Sequence, residues 1–345
     1  MNRDIFIEVV LRTDPNTLEK LCLSNKFYYN VYKENKEYIC KKFLEKYQVE
    51  YTDPTNFIYV YNKVRIQDCK VEGTFDFYTL LELYMKNFYL KEIHCRYMNI
   101  TSFPVQPNMI LFDGDNNQLT SFPVQPEMKH FFGNNNQLTT FPVQPCMRFF
   151  EGARNKLSSF PVQPEMSHFR GNDNKLTSFP VQPEITYFFG ENNQLTSFPV
   201  QPSMTHFFGD YNKLTSFPVQ PSMTHFQGMN NQLTTFPVQP SMTHFQGMNN
   251  QLTTFPVQLS MIEFYGDCNK LTCFPVQPKM TLFHGRNNQL TSFPVQPEMV
   301  YFYGDCNNLT SFPVQPNMIR IKGYGNQITI FPLQPKMKYL NPLSA

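Results

Sequence analysis

The apolar positions from residue 90 onward recur at a fixed interval. A Phe-Pro pair begins at Phe103 and returns every nineteen residues as far as Phe331, thirteen times without an insertion. The copies start at residues 90, 109, 128, 147, 166, 185, 204, 223, 242, 261, 280, 299 and 318. Each follows the pattern φxxφxGxxNxLxxFPxxP, where φ is apolar. The few apolar residues of one copy cannot form a core by themselves. Each copy must therefore pack against its neighbours.

The first six residues of each copy predict a short extended segment. This segment is Met-x-x-Phe-x-Gly in most copies, and it should pair in parallel with its equivalents at a spacing of about 4.8 Å. The prolines in the rest of the copy forbid a regular helix and favour turns. We therefore expect residues 90–345 to form a solenoid of about 13 parallel-strand rungs with a mostly non-helical convex side.

An Asn column and a Gly column run through the copies. The Asn residues are Asn117, Asn136, Asn155, Asn174, Asn193, Asn212, Asn231, Asn250, Asn269, Asn288, Asn307 and Asn326. An Asn where the chain turns inward can satisfy turn amides of its own copy and of the adjacent copy, so we interpret this column as a structural Asn ladder. The Gly column, which lacks a Cβ atom, should leave room for neighbouring Phe side chains.

The repeated pattern resembles the leucine-rich repeat, LxxLxLxxNxLxxL, with Gly where the third Leu usually stands. Its Pro-x-x-Pro tail resembles the short repeats of secreted bacterial effectors, and its Phe-x-Gly-x-x-Asn-Gln part is similar to FNIP repeats. The resemblance covers residues 90 to about 340. It implies a leucine-rich-repeat solenoid that binds other proteins.

Residues 1–50 have helical periodicity instead. Ile5, Phe6, Val9 and Val10 fall on one helical face, and Asp14-Pro15 gives a cap and first turn for a second helix. Together with two further short segments they predict a small helical bundle. Residues 51–89 predict two more helices, one from Asp53-Pro54 and one from Phe75 to Lys86, as a linker and N-terminal cap of the solenoid. The predicted fold class is therefore α+β.

The segment from Asp4 to Tyr28 resembles the F-box. Its run of paired aliphatic residues, spaced Leu residues and a Ser-Asn-Lys-Phe-Tyr step follows that family's pattern, although the opening Leu-Pro of the family is missing. The resemblance implies that a Skp1-type adaptor would dock on Ile5, Val9, Val10, Leu18 and Leu21. The alternative is that these helices only cap the solenoid. The combination of F-box-like segment and short repeats resembles proteins of large DNA viruses of amoebae and of amoebae themselves.

Composition narrows the function classes. With 29 basic and 27 acidic residues the chain has a net charge of +2, so no nucleic-acid footprint is expected. No apolar run approaches the length of a membrane span. The eight cysteines are irregularly spaced and form no CxxC, which favours a reduced, cytoplasmic chain. HExxH, GxSxG and Gly-rich phosphate loops are absent, and we expect neither an enzyme nor a cofactor.

The variable positions of the copies point to binding. The third and fifth residues of each copy should lie on the concave surface, where they form a stripe of aromatic and histidine side chains. We expect a protein target on Phe132, Phe149, His168, Tyr187, Phe189, His206, Phe208 and His225. Gene duplication alone is the alternative explanation of such a regular column. A metal site at His206, His225 and His244 is not expected, because three parallel rings do not offer tetrahedral ligands.

Two functions remain open at this point. The first is a substrate-recognition adaptor that links a target in the groove to a Skp1-cullin ubiquitin ligase through the F-box-like segment. The second is a non-catalytic scaffold or inhibitor whose N-terminal residues only cap the solenoid.

Overall fold

The computed structural model of the chain describes residues 58–66, 69–76, 90–103, 105–106 and 109–340. The chain divides into two compact units, residues 1–138 and 139–345. Within the described residues every regular element is a β-strand. The F-box-like segment and its proposed adaptor-docking residues lie outside them.

The first unit contains five described strands. They are β1 (Ile58–Ile66), β2 (Cys69–Asp76), β3 (Leu90–His94), β4 (Leu111–Asp113) and β5 (His130–Phe132). Strand β1 pairs antiparallel with both β2 and β3, whereas β3, β4 and β5 pair in parallel. The first strand of the repeats is thus covered by an antiparallel pair, which supplies hydrogen-bond partners to an otherwise open edge.

The α+β prediction is wrong for the described part of the chain, because strands occupy residues where helices were expected. The helix expected from Asp53-Pro54 is replaced by β1, and β2 runs through Phe75, where the second helix was to begin. The sequence Ile-Tyr-Val-Tyr-Asn-Lys-Val-Arg-Ile of β1 is rich in β-branched and aromatic residues, which favour a pleated strand over a helix. That composition is the signal that the helical interpretation overlooked.

The second unit contains eleven strands, one per repeat. They are β6 (Phe149–Glu151), β7 (His168–Arg170), β8 (Tyr187–Phe189), β9 (His206–Phe208), β10 (His225–Gln227), β11 (His244–Gln246), β12 (Glu263–Tyr265), β13 (Leu282–His284), β14 (Tyr301–Tyr303), β15 (Arg320–Lys322) and β16 (Tyr339–Leu340). Each pairs in parallel with the next. A residue therefore lies beside its equivalent nineteen positions later, as His225 lies beside His244.

Two columns of Phe fill the interior of the second unit. The middle residue of a strand, such as Phe207, stacks on its equivalent Phe226 with ring centroids 5.4 Å apart. It also meets the Phe of the Phe-Pro pair, Phe217, at 4.7 Å. The Gly two residues after each strand Phe is required by this packing, because a Cβ atom on Gly209 would overlap the ring of Phe207. The interpretation of the Gly column is confirmed.

The Asn column bridges successive repeats. In the second unit, Asn212 donates from Nδ2 to the carbonyl oxygens of Gly190 at 2.9 Å and of Gly209 at 3.2 Å. Its Oδ1 accepts the backbone N–H of Leu195 at 2.9 Å. The amide therefore joins the turn of its own repeat to the preceding repeat, and it is 7% exposed. These contacts use most of the donors and acceptors that an Asn amide has.

A Gln column bridges the repeats on the return side, inside the Phe-Pro-Val-Gln-Pro segments. Gln220 accepts the backbone N–H of Gln201 at 2.7 Å and donates from Nε2 to the carbonyl oxygen of Pro199 at 2.9 Å. Its side chain is fully buried. The Pro residues lack an N–H group, so side-chain amides supply the hydrogen bonds between neighbouring return segments.

Candidate protein-binding face

The strands of the second unit leave one face partly exposed. In β6 to β15 the middle residue of each three-residue strand is buried, while the first and third residues are mostly half-buried. We call the surface formed by these first and third residues the strand face. Alternation in a strand sends its side chains to opposite sides, so the Phe interior fixes which residues lie on this face.

A continuous row of rings runs across the first residues of β6 to β11. Phe149 and His168 lie with ring centroids 5.5 Å apart, His168 and Tyr187 at 4.7 Å, and Tyr187 and His206 at 4.6 Å. His206 and His225 follow at 4.4 Å, and His225 and His244 at 4.4 Å. Parallel pairing in register places equivalent residues side by side, and flat side chains at that spacing stack. The row is therefore preformed.

Hydroxyl groups hold the imidazoles of this row. The residue before each His is Ser or Thr, and in β10 the Oγ1 atom of Thr224 lies 2.8 Å from Nδ1 of His225. The same hydroxyl donates to the carbonyl oxygen of Thr205 at 3.2 Å. Thr205 and Thr243 make equivalent contacts with His206 and His244, each at 2.8 Å. Ring orientation is therefore fixed by hydrogen bonds as well as by stacking.

Burial lowers the pKa of three imidazoles in this row. Burial, then the neighbouring His206 and His244, lower the pKa of His225 to about 4. Burial also lowers the pKa of His206, with His244 adding to the effect, and lowers the pKa of His168, where Arg170 adds to it. Stacked imidazolium ions would repel each other at this distance. His168, His206 and His225 are therefore uncharged at neutral pH.

A second group of aromatic residues lies on the third positions of the strands. Phe189 stacks on Phe208 with centroids 4.5 Å apart, and the Arg170 guanidinium lies 4.8 Å from the Phe189 ring centre. Further along, His284 lies between Tyr265 and Tyr303 at 4.8 Å and 4.2 Å. An Arg on an exposed aromatic ring is a favourable cation–π contact. The strand face thus offers both ring stacks and a built-in guanidinium contact.

The structure assembles seven of the eight expected target-binding residues in the second unit. Phe149, His168, Tyr187, His206 and His225 belong to the ring row, and Phe189 and Phe208 form the adjacent pair. Phe132 ends strand β5 of the first unit. His244, left out of the expected set, extends the row by one ring. The sequence signal for including His244 was that it lies in the same Thr-His-Phe-Gln segment as His225.

Carboxylates follow two of the strands that carry the rings, because Glu191 lies two residues after β8 and Asp210 two residues after β9. Burial raises the pKa of Glu191 to about 7, with the charges of Asp210 and Asp173 adding to the effect. One carboxylate oxygen of Glu191, Oε2, is buried and has no hydrogen-bond partner in the described part of the chain. Asp210 is 5% exposed and accepts from Gln227 Nε2 at 2.6 Å and from the Met229 N–H at 2.7 Å. Neither carboxylate had been singled out, because their position looked like an ordinary turn.

The described residues contain no group of three or more His, Cys, Asp or Glu side chains placed to hold a metal ion. The parallel rings of His206, His225 and His244 are stacked within 9° of coplanar, which directs their nitrogen atoms side by side and not toward a common centre. Likewise, no helix that could span a bilayer occurs among the residues whose structure is described.

Comparison with known proteins identifies the fold. No family profile and no curated protein matches the sequence. Among solved structures, YopM from Yersinia enterocolitica matches with a TM-score of 0.62 and 20% identity, over 73% of this chain and 64% of that protein. A leucine-rich-repeat protein of Leptospira interrogans matches with a TM-score of 0.47 and 18% identity, over 70% of this chain and 81% of that one.

The similarity to the Yersinia enterocolitica structure shows the fold, a leucine-rich-repeat solenoid. The chain spans less than two thirds of the length of the Yersinia enterocolitica protein. A second YopM structure, from Yersinia pestis and described as a leucine-rich effector protein, matches with a TM-score of 0.48 and 20% identity over 76% of this chain and 90% of that one. The repeat resemblance stated from the sequence is confirmed by the fold.

Proposed function

We propose that this chain is a non-catalytic scaffold that binds a partner protein on the strand face of its second unit. The observation that carries this proposal is the preformed row of six stacked and partly exposed rings from Phe149 to His244. Partly exposed aromatic side chains held in one conformation lose little entropy when a partner covers them, as in binding hot spots. Leucine-rich-repeat folds serve as repeat scaffolds with extended binding surfaces.

An affinity-capture experiment tests this proposal. The intact chain and the variant F208S/H225S would be immobilised, and captured proteins would be quantified by mass spectrometry. The matched control is V200S/V219S, because both valines lie on the return side with 46% of their surface exposed. We expect proteins captured by the intact chain and by the control to be lost from the strand-face variant. Equal capture by the two variants, with equal unfolding midpoints, would contradict the proposal.

A narrower role is that of a ubiquitin-ligase adaptor acting in the cytoplasm. It is supported only by the F-box resemblance of residues 4–28, which implies docking of a Skp1-type adaptor on Ile5, Val9, Val10, Leu18 and Leu21. Titration calorimetry with a purified Skp1-type protein would measure this association directly, and Ile5→Asp should abolish it. Absence of heat at tens of micromolar would leave the alternative, a scaffold or inhibitor whose N-terminal residues have no ligase partner.

A further inference from the structure

The imidazoles of the ring row each leave one ring nitrogen for a partner. Nδ1 of His225 lies 2.8 Å from the Thr224 hydroxyl, so this nitrogen is already engaged within the repeat. The other nitrogen, Nε2, is the one that a partner on the strand face can contact.

The neighbouring imidazoles are held in the same way. The hydroxyls of Thr205 and Thr243 lie 2.8 Å from Nδ1 of His206 and of His244. Successive strands lie about 4.8 Å apart, so the three Nε2 atoms form an evenly spaced row. The stacked rings of this row offer a partner a continuous aromatic surface.

The charged residues around the His row indicate what kind of partner it favours. We consider the first and third residues of β8 to β12, together with the residue two positions after each strand. These positions hold four carboxylates and no Lys or Arg. The carboxylates are Glu191, Asp210, Glu263 and Asp267. None of them forms an ion pair within the described residues, whereas the arginines that border this stretch, Arg170 and Arg286, are held by Glu151 at 3.2 Å and Asp305 at 3.3 Å.

We propose that the strand face from β8 to β12 binds an extended peptide segment bearing Arg or Lys side chains. This inference rests on the proposed function and names the chemistry of its partner. Guanidinium and ammonium groups are cations that carry donors only, which complements carboxylates that form no ion pair, and both groups pack favourably against aromatic rings. Five strands span about 20 Å, enough for about six residues of extended chain. The same carboxylates would repel the phosphates of a nucleic acid.

Two local details support a cationic occupant. The chain's own Arg170 already lies 4.8 Å from the centre of the Phe189 ring, so a guanidinium fits against the Phe189–Phe208 stack. The carboxyl of Glu191, two residues after Phe189, forms no ion pair within the described residues. Burial raises its pKa, and a bound cation would lower it again.

Acid should weaken this binding. The groups that face His225 from the adjacent strands are His206 and His244, and the nearest carboxylates beyond them are Asp210 and Glu263. Burial raises the pKa of Glu191 to about 7, so its protonation removes a negative charge from this face between neutral pH and pH 5. The pKa of His225 is about 4, so this imidazole gains a positive charge that repels a cationic peptide only at still lower pH.

Selection of peptides by the full chain tests the inference. A phage library of random twelve-residue peptides would be panned on the immobilised protein at pH 7.5 in 150 mM salt, which screens weak surface attraction. We expect enrichment of peptides rich in Arg and Lys. Enriched peptides without an excess of these residues would overturn the inference while leaving the proposed function intact. Failure to enrich any peptide would overturn the inference too, and the capture experiment would then decide the proposed function separately.

Defined peptides and matched variants make the result quantitative. Fluorescence polarisation would compare a labelled nine-residue peptide of alternating Arg and Gly with one of alternating Glu and Gly. We expect the Glu peptide, the variant E191Q/E263Q and a shift to pH 5 each to weaken binding about tenfold or more. The control E184Q/E298Q removes two exposed carboxylates outside the strand face and should leave affinity unchanged. Equal binding of the two peptides, or equal losses in the two variants, would contradict the inference.

Discussion

Two columns of the second unit lie one residue apart along each strand and repeat to very different degrees. The middle column is Phe from β6 to β14 and is at most 1% exposed. The column before it changes between Phe, His, Tyr, Glu and Leu and is mostly half-buried. A side chain that contacts its own equivalent in the next repeat must keep one shape, whereas a half-exposed neighbour is free to vary. Repetition therefore marks the scaffold, and variation marks the surface available to a partner.

The Asn column should show the strongest scaffold effect. Asn212→Ala removes one acceptor contact and three donor contacts, to the carbonyls of Gly190, Gly209 and Asp210. The buried Leu195 N–H then loses its partner, and the Gly190 and Gly209 carbonyls each lose one of two Asn donors. We expect a loss of about 3 kcal/mol in the free energy of unfolding. Denaturant unfolding monitored by circular dichroism would measure it. The control Gln232→Ala removes an exposed amide that is not part of the Asn ladder. Its free energy of unfolding should lie within about 0.5 kcal/mol of the parent value.

The contact between the Gly and Phe columns should give the next largest effect. Gly247→Ala places a methyl group against the Phe245 ring, and overpacking of this kind costs about 2 kcal/mol. Phe245→Leu removes the clashing atoms, so the double variant should be more stable than the sum of the single effects by about 1 kcal/mol. A strictly additive cycle, measured by the same denaturant unfolding, would show that the Gly column has another cause.

A smaller effect is expected from pH. The pKa of His225 is about 4 in the folded chain, below the ordinary His value, so between those values the unfolded chain binds more protons. Stability should therefore be complete at neutral pH and fall as pH drops through this interval. His225→Gln should reduce the drop in the thermal unfolding midpoint between pH 7 and pH 4.5. An identical drop in the variant would mean that carboxylates alone cause the acid sensitivity.

The smallest effect should come from the backbone of the turns. Tyr211 has a φ of 53°, a left-handed conformation in which Asn stands at the equivalent place in several other repeats. Asn tolerates that conformation better than Tyr, so Tyr211→Asn should gain about 0.5–1 kcal/mol. Tyr211→Ala removes the same exposed ring without relieving the backbone, and it should give no gain. Calorimetric unfolding midpoints would distinguish the two variants.

Much of the repeat architecture could be predicted from periodicity alone. The fixed interval of nineteen residues indicates stacking, and Phe and Gly at constant spacing indicate an interior in which only Gly fits beside the Phe207 ring. The Gln column was equally regular but was overlooked, because Pro-Val-Gln-Pro was interpreted only for its prolines. Its importance appears once the prolines of the return segments are seen to lack N–H groups, so that side-chain amides such as Gln220 join neighbouring segments.

The chemistry of the candidate site could be predicted only in outline. The ring row follows from equivalent positions lying beside each other, so its members could be named from the sequence. The contact between the Thr224 hydroxyl and Nδ1 of His225 could not, because it depends on the orientation of two neighbouring side chains along the strand. The strands β1 and β2 were mistaken for helices because cap-like residues such as Asp53-Pro54 outweighed their β-branched composition.

The distinction between scaffold and binding face is tested most directly by hydrogen–deuterium exchange of the full chain with and without a peptide enriched by selection. We expect slower exchange in segments that contain β9, β10 and β11, and no change in the Phe-Pro-Val-Gln segments of the same repeats. Protection confined to those return segments would contradict it, because the partner would then be bound by the regular side of the repeats and not by the variable one.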